Sequence, residues 1–186
     1  MKDSLTVTVD VAVSDLSAGE AESEFVRFFR DYRSKAFHYA LQTVGNVDDA
    51  LDVTQEAFLR LHRHWRRRDP SRPFGPWLYS IVRNLAIDLL RKRATRRECN
   101  QEDAPPLLAP AAASPEAAAG RKELAERLWR EIGRLPEPQR EALLLRDWHG
   151  LSYAEIAEIT GSTVAAVNSR IHDARVRLRD RLRRYL

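Results

Sequence analysis

The chain has 186 residues, of which 44% are hydrophobic and 31% charged, so it can build one ordinary domain or two small ones. The formal net charge is only +4, and no run of about 18 apolar residues is present to cross a membrane. A single cysteine, Cys99, excludes an internal disulfide and fits a reducing, cytoplasmic compartment. The first residues lack the basic start and apolar run of a secretory signal.

Basic residues are concentrated in two separate blocks of the sequence. Residues 60–97 hold twelve Lys or Arg and two acids, and residues 170–186 hold seven Arg and two acids. Residues 1–24 are acidic by contrast. Two separated basic blocks favour two contacts with a polyanion over two ordinary solvated helix faces.

The N-terminal half reads as an extension over residues 1–22, predicted to lack stable structure, and a helical domain over residues 23–96. Apolar residues at three- and four-residue steps predict helices from about residue 23 to 43 and 48 to 64. The apolar stripe of the second helix is Ala50, Val53, Ala57, Phe58 and Leu61. Prolines and a glycine predict a loop over residues 68–76. A third helix follows over about 77–93, with Leu78, Ile81, Val82, Leu85 and Leu89 facing inward.

The C-terminal half begins after a linker. Four prolines and many alanines predict that residues 97–118 are extended rather than packed. Residues 119–186 form the second predicted domain, with four helices over about 115–133, 136–148, 152–160 and 163 to the end. The third of these opens with a capping box, Ser152 to Glu155. The predicted fold class is all-α: two small helical domains joined by a flexible Pro/Ala-rich linker.

The last two predicted helices form a helix-turn-helix pattern. A short helix, a turn at Gly161 and a long Arg-rich helix follow one another, as in domains whose second helix enters the major groove of DNA. Val164, Val167 and Ile171 are predicted to face inward. The groove-facing side then offers small and hydrogen-bonding residues to base edges, namely Ala165, Asn168, Ser169, Arg170, His172 and Asp173. Arg175 and the arginines beyond it suit phosphates.

Two sets of residues resemble the extracytoplasmic-function (ECF) sigma factors of the sigma-70 family, group 4. Residues 135–182 are similar to that family's fourth conserved region through Arg140-Glu141, Leu151-Ser152-Tyr153, Glu155-Ile156-Ala157, Gly161, Ser169-Arg170 and Ala174-Arg175. The earlier half resembles the second conserved region through Ala50, Asp52, Gln55-Glu56, Phe58, Phe74, Trp77-Leu78, Ile81, Asn84, Ala86, Asp88 and Arg91. The resemblance is specific because both sets occur in the family's order around a linker.

The resemblance implies a factor that binds core RNA polymerase and recognises promoter DNA. It implies that the polymerase's largest-subunit coiled coil contacts Asp48, Asp52, Gln55 and Glu56, and that the flap contacts the second domain. It assigns the -35 element to the recognition helix. It assigns recognition of the -10 element, including the capture of a flipped base of the non-template strand, to these residues: Arg72, Phe74, Trp77, Ser80, Arg83, Asn84, Arg91 and Lys92. Two roles suit Trp77 equally well: an anchor in the hydrophobic core, or a wedge that stacks on a base of the DNA. An anti-sigma factor wedged between the domains is a further implied partner.

The recognition helix departs from the family pattern at three places. Many members carry Gly-Thr where this chain has Ala165-Ala166, Lys or Arg where it has Asn168, and Arg where it has Asp173. Phosphate repels an acid on this face. Asp173 is therefore expected either to accept a hydrogen bond from a cytosine amino group or to form an ion pair with Arg170 or Arg177.

Other functional classes have less support in the sequence. There is no glycine-rich phosphate loop and no nucleophile with a companion base. His62 and His64 do not share a helix face, so they are a poor metal pair. We therefore expect no enzyme activity, no metal and no cofactor. The remaining alternative is a free-standing helix-turn-helix regulator that does not bind polymerase as a sigma factor.

Overall fold

A computed structural model describes residues 20–65, 68–69, 71, 73–97 and 119–183. The helices are α1 Glu20–Val44, α2 Val47–His64, α3 Phe74–Arg97, α4 Ala119–Gly133, α5 Glu137–Leu143 with a π-helical turn Leu144–Trp148 after it, α6 Tyr153–Thr160 and α7 Val164–Leu182. The all-α fold class is confirmed. The predicted extension lies outside the described residues except for its last three, which begin α1. The predicted linker lies outside them except for Arg97. None of the helices described is long and apolar enough to cross a bilayer.

The sequence pattern of α2 is the one predicted. Its start is capped by Asn46, whose side chain accepts a hydrogen bond from the Asp49 N–H at 2.8 Å. Asp48 and Asp49 lie in the first turn, where the helix dipole favours negative charge. All five residues of the predicted apolar stripe are buried, and α2 packs against α1 and α3.

Helix α3 begins three residues earlier than predicted. Phe74, Gly75 and Pro76 form its first turn and do not belong to the preceding loop. Proline is tolerated there because the first N–H groups of a helix have no intrahelical partner. The Phe74 ring lies 4.5 Å from the Phe28 ring and 4.6 Å from the Trp65 ring, centroid to centroid, and this packing anchors the start of the helix.

Helix α3 is covered on more than one side. It packs against α1 and α2 and also against α6. Of the predicted inward residues, Leu78 and Val82 are buried, and Ile81, Leu85 and Leu89 are half-buried and pack against the same core. Tyr79 and Ala86 are buried as well, although they lie outside the predicted stripe, because the helix contacts both halves of the molecule.

One hydrophobic core runs through both domains. Leu145, Ile156 and Ile171 from the C-terminal half belong to the same buried cluster as the apolar residues of α1, α2 and α3. A second, smaller cluster joins α4, α5 and α7 around Trp129 and Leu178. The two helical domains therefore pack against each other in this structure.

Candidate nucleic-acid and polymerase interface

Local contacts fix the helix-turn-helix geometry. The Ser152 N–H donates to Glu155 Oε2 at 2.7 Å, and the Glu155 N–H donates to Ser152 Oγ at 3.2 Å, which completes the predicted capping box. Gly161 ends α6 with a φ of 62°, a left-handed conformation that glycine adopts without steric cost. Thr163 Oγ1 accepts from the Ala166 N–H at 3.1 Å and caps α7. The turn between the two helices is thus specified at each of its ends.

The recognition helix α7 presents its predicted contact residues away from its buried stripe. The buried residues are Val167, Ile171, Ala174 and Leu178. Ala165, Asn168, Ser169, His172, Asp173 and Arg175 are exposed, and Arg170 is half-buried. Val164 was predicted to face inward and is instead 49% exposed. As the first residue of α7, its side chain points back beyond the helix start, where no preceding turn covers it.

Two charged residues of α7 differ in their partners. Arg175 donates to Asp147 from Nη2 at 2.5 Å and from Nε at 3.3 Å, and this hydrogen bond raises the pKa of Arg175. Both side chains are about half exposed, so the pair is weak and phosphate can compete for Arg175. Asp173 makes no ion pair within the described part of the chain. The predicted pairing with Arg170 or Arg177 is therefore wrong.

A cavity of about 790 Å³ lies at the start of α3. It is lined by Arg68, Asp69, Pro73, Phe74, Pro76, Trp77, Ser80 and Glu158, so three predicted -10 residues share it. The Arg68 guanidinium lies over the Trp65 and Phe74 rings, at 4.7 and 4.5 Å from their centroids. Trp77 is half-buried and packs against the core, as a core anchor does. It also lines the cavity, and its role as a stacking wedge stays a prediction. Arg72 lies outside the described residues.

The remaining predicted -10 residues do not share one environment. Asn84, Arg91 and Lys92 are exposed along α3. Arg83 turns instead toward the C-terminal domain and donates to Glu141, from Nε to Oε1 at 2.7 Å and from Nη2 to Oε2 at 3.4 Å. Burial lowers the pKa of Arg83, but the hydrogen bond and attraction to Glu141 outweigh it and leave that pKa raised. Arg83 is therefore occupied in this arrangement.

The predicted polymerase-binding residues lie on the face of α2 opposite its buried stripe. Asp48, Asp52 and Gln55 are exposed. Glu56 is half-buried and accepts from Arg60 Nε at 2.7 Å. Leu59, 38% exposed, follows one turn after Gln55 and adds apolar surface to this face. The face combines negative charge, an amide and one apolar residue.

Sequence reasoning missed a polar network between the two domains. Tyr39 Oη donates to Glu141 Oε1 at 2.9 Å. The His149 ring lies between Tyr79 Oη, 3.0 Å from Nδ1, and Gln42 Oε1, 3.1 Å from Nε2. Because the partners are 70 to 107 residues apart in the chain, no local pattern could have indicated them.

The His149 imidazole is neutral in this network. Burial is the main cause that lowers its pKa to about 4, and the charges of His38 and Lys35 add to the effect. Both hydrogen bonds form with a neutral ring that is protonated at Nε2. The Nε2–H then donates to Gln42 Oε1, and Nδ1 accepts from the Tyr79 hydroxyl. Within the described residues, no group of three His, Cys, Asp or Glu side chains forms a candidate metal site.

Comparisons with known proteins match both halves of the chain. Residues 28–96 match the Sigma-70 region 2 family, and residues 125–178 match the Sigma-70, region 4 family. The ECF RNA polymerase sigma factor SigW of Bacillus subtilis (strain 168) is 33% identical over 159 residues, which cover 82% of this chain and 85% of SigW. The chain belongs to the ECF RNA polymerase sigma factors.

Further relatives agree with this assignment. The ECF sigma factor SigE of Mycolicibacterium smegmatis is 35% identical over 175 residues, 94% of this sigma factor and 66% of SigE. Two solved structures share its fold. The sigma factor RpoE of Bartonella quintana, in complex with the anti-sigma factor NepR, superposes with a TM-score of 0.72 at 22% identity, covering 86% of this chain and 97% of RpoE. CnrH, in complex with the cytosolic domain of CnrY, has a TM-score of 0.61 at 24% identity and covers 95% of both chains.

Proposed function

We propose that this sigma factor binds core RNA polymerase through the exposed face of α2 and directs it to promoters. Asp48, Asp52, Gln55 and Glu56 meet the coiled coil of the largest subunit, and the second domain meets the flap. The factor has no catalytic role of its own and works in the cytoplasm with the polymerase. The observation that carries the proposal is the occurrence of both sigma-70 regions, in order, along one chain.

The proposal divides promoter recognition between the domains. Residues 23–96 act as region 2 on the -10 element, residues 119–186 as region 4 on the -35 element, and residues 97–118 as the linker, with residues 1–22 as an N-terminal extension. The exposed residues of α7 support a major-groove contact, and Val164 adds an apolar surface suited to a thymine methyl group. The cavity beside Trp77 is large enough for a flipped base.

Control by an anti-sigma factor is part of the proposal. RpoE of Bartonella quintana and CnrH were each solved with a protein bound, an anti-sigma factor in the first case. We expect an inhibitor encoded beside the gene to copurify with this sigma factor. Full activity of the factor in unstressed cells would count against such control.

The first test measures binding of the purified protein to sigma-free core polymerase without DNA. We expect tight binding that another sigma factor displaces. Gln55→Ala and Asp52→Lys should each weaken it, whereas Asp31→Lys, the same charge change at an exposed site on α1, should not. If the folded protein does not bind the core after removal of any inhibitor, the free-standing regulator is the better description.

Promoter melting gives a second test through Asn84. This exposed amide lies on α3 beyond the cavity, where it can hydrogen-bond an unpaired base. Asn84→Ala should slow open-complex formation about tenfold, as expected for about 1–2 kcal/mol of base contact, and leave core binding unchanged. Permanganate reactivity of promoter thymines measures the opening. Equal losses of opening and of core binding would mean that Asn84 is structural.

A further inference from the structure

A small cavity lined by arginines lies on the second domain, outside the residues assigned above to base recognition. The cavity measures about 240 Å³, and within the described part of the chain it is lined by Arg127, Arg130, Glu131 and Arg134. The first three of these residues belong to α4, and Arg134 follows the helix directly. Steps of three and four residues place the arginines on one face of the helix. That face therefore presents three guanidinium groups beside one carboxylate.

Glu131 joins this face to the recognition helix. Its side chain is only 9% exposed and accepts hydrogen bonds from Arg134 Nη1 at 2.6 Å and from Arg181 Nη1 at 3.4 Å. Arg181 lies in the last turn of α7. We call Arg127, Arg130, Arg134 and Arg181 the α4 arginine cluster. One carboxylate holds two of its guanidinium groups in place through charge-assisted hydrogen bonds and leaves the cluster with an excess of positive charge.

The chemistry of the α4 arginine cluster fits phosphate better than a protein surface. A guanidinium group binds phosphate through two parallel N–H···O bonds, and a phosphate group is small enough for the cavity. The centre of a protein–protein interface usually contains apolar or aromatic side chains, whereas the described lining of this cavity is entirely charged. Arg130 is exposed, and none of the side chains that the structure describes forms an ion pair with it. Arg130 is therefore available to an anionic ligand.

The place of the cluster along α7 brings it to the DNA backbone when α7 occupies the major groove. Asn168 and Arg181 are thirteen residues apart, which is about 20 Å of helix at 1.5 Å per residue. The groove is only about 12 Å wide, so a helix that reads bases with its first half extends past the bordering phosphates with its second half. Residues 127–134 span about 10 Å of helix. Since each strand carries one charge per 3.4 Å of duplex, this length faces about three phosphates.

We propose that the α4 arginine cluster binds the phosphate backbone of the duplex beside the -35 element and extends the contact of the second domain beyond the bases that α7 reads. The inference rests on the proposed function, because it requires α7 to lie in the major groove of that element. Phosphates carry no base information, so the contact is independent of sequence. It adds positive charge beside a recognition helix that has Asn168 and Asp173 where many ECF sigma factors have basic residues.

The test compares holoenzymes on two duplexes, one limited to the -35 element of a mapped promoter and one extended by about one helical turn on each side. We expect wild-type holoenzyme to bind the extended duplex more tightly. Arg130→Gln and Arg134→Gln should each weaken binding to the extended duplex by about three- to tenfold at low salt. Each should also reduce the slope of log affinity against log salt on that duplex by about 1. Neither variant should change affinity for the short duplex.

The matched control is Arg30→Gln, the same change at an exposed arginine of α1 in the first domain. It should leave affinity for both duplexes unchanged. Circular dichroism checks folding, and either cluster variant suffices if the other is unfolded.

Three results would overturn the inference and leave the proposed function standing, provided that Asn168→Ala still weakens binding to the short duplex. The first is wild-type affinity of a folded cluster variant for the extended duplex. The second is equal weakening on both duplexes, which would place the contact inside the -35 element. The third is loss of core-polymerase binding in place of DNA binding, which would assign the cluster to a protein partner. If the wild type instead fails to distinguish the -35 element from a scrambled sequence, the proposed -35 role itself is excluded.

Discussion

At the residue scale, the recognition helix carries side chains that suit bases and side chains that suit phosphates. Asn168→Ala should lower holoenzyme affinity for the cognate -35 element by about 1–3 kcal/mol and leave affinity for a scrambled element unchanged. Arg175→Ala should weaken binding to both sequences equally and reduce the slope of log affinity against log salt by about 1. Fluorescence anisotropy with the two duplexes over a range of salt concentrations separates these results. If both variants respond in the same way, Asn168 and Arg175 do not divide base contacts and phosphate contacts between them.

The exposed side chain of Val164 allows a second prediction at this scale. An apolar residue at the start of a recognition helix can pack on the C5-methyl group of thymine. Val164→Ala should cost about 1 kcal/mol of -35 binding, the value of a buried methylene or slightly more. Uracil lacks this methyl group. Replacing the -35 thymines by uracil should therefore reduce the binding free energy of the wild type by a similar amount and should not reduce that of the variant further. Independent, additive losses would show that Val164 does not contact the methyl group.

At the element scale, the capping box of α6 is the feature whose energetic contribution is easiest to isolate. Ser152→Ala removes an N-cap hydroxyl and should destabilise the protein by about 1 kcal/mol, lowering the melting temperature by about 2–4 °C. Ser152→Asn preserves an N-cap acceptor and should recover most of the loss. Thermal unfolding followed by circular dichroism measures both variants. Equal melting temperatures for Ser152→Ala and the wild type would show that the cap contributes nothing to stability.

Local patterns predicted elements well where one side of a helix is buried. The stripe of α2, the capping box of α6 and most of the α7 stripe follow from spacing and side-chain chemistry alone. The prediction for Val164 was wrong because its helix has just begun, and the predicted stripe of α3 did not include Tyr79, which lies against the second domain. The hydrogen bonds of Glu141 and His149 join residues distant in the sequence, so only the packed structure reveals them.

At the scale of the whole molecule, the packing of the domains decides which candidate residues are available. The exposed residues of α2 and α7 are accessible in this packing, but Arg83 is occupied by Glu141. The exposed candidate contacts of α7 are therefore available without any change in the domain packing, whereas the guanidinium of Arg83 is not.

The packing of the two domains against each other should depend on pH through His149. The pKa of His149 is about 4 in the packed structure and 6.5 in its ordinary state, so above pH 6.5 the ring is neutral whether the domains are packed or apart, and the packing has its full stability. Between pH 6.5 and 4, separated domains bind a proton that the packed structure excludes. The packing therefore weakens as pH falls, by up to about 3 kcal/mol.

Tyr39, Tyr79 and Gln42 face His149, and Lys35 and His38 lie close enough to lower its pKa. None of these residues supplies a carboxylate to stabilise an imidazolium. The radius of gyration of the wild type should thus increase between pH 7 and pH 4.5. His149→Gln keeps a hydrogen-bonding side chain but cannot titrate, so its radius should change less over the same range. The carboxylates are common to both proteins, and identical expansion in the two would therefore assign the transition to them and exclude His149 as its cause.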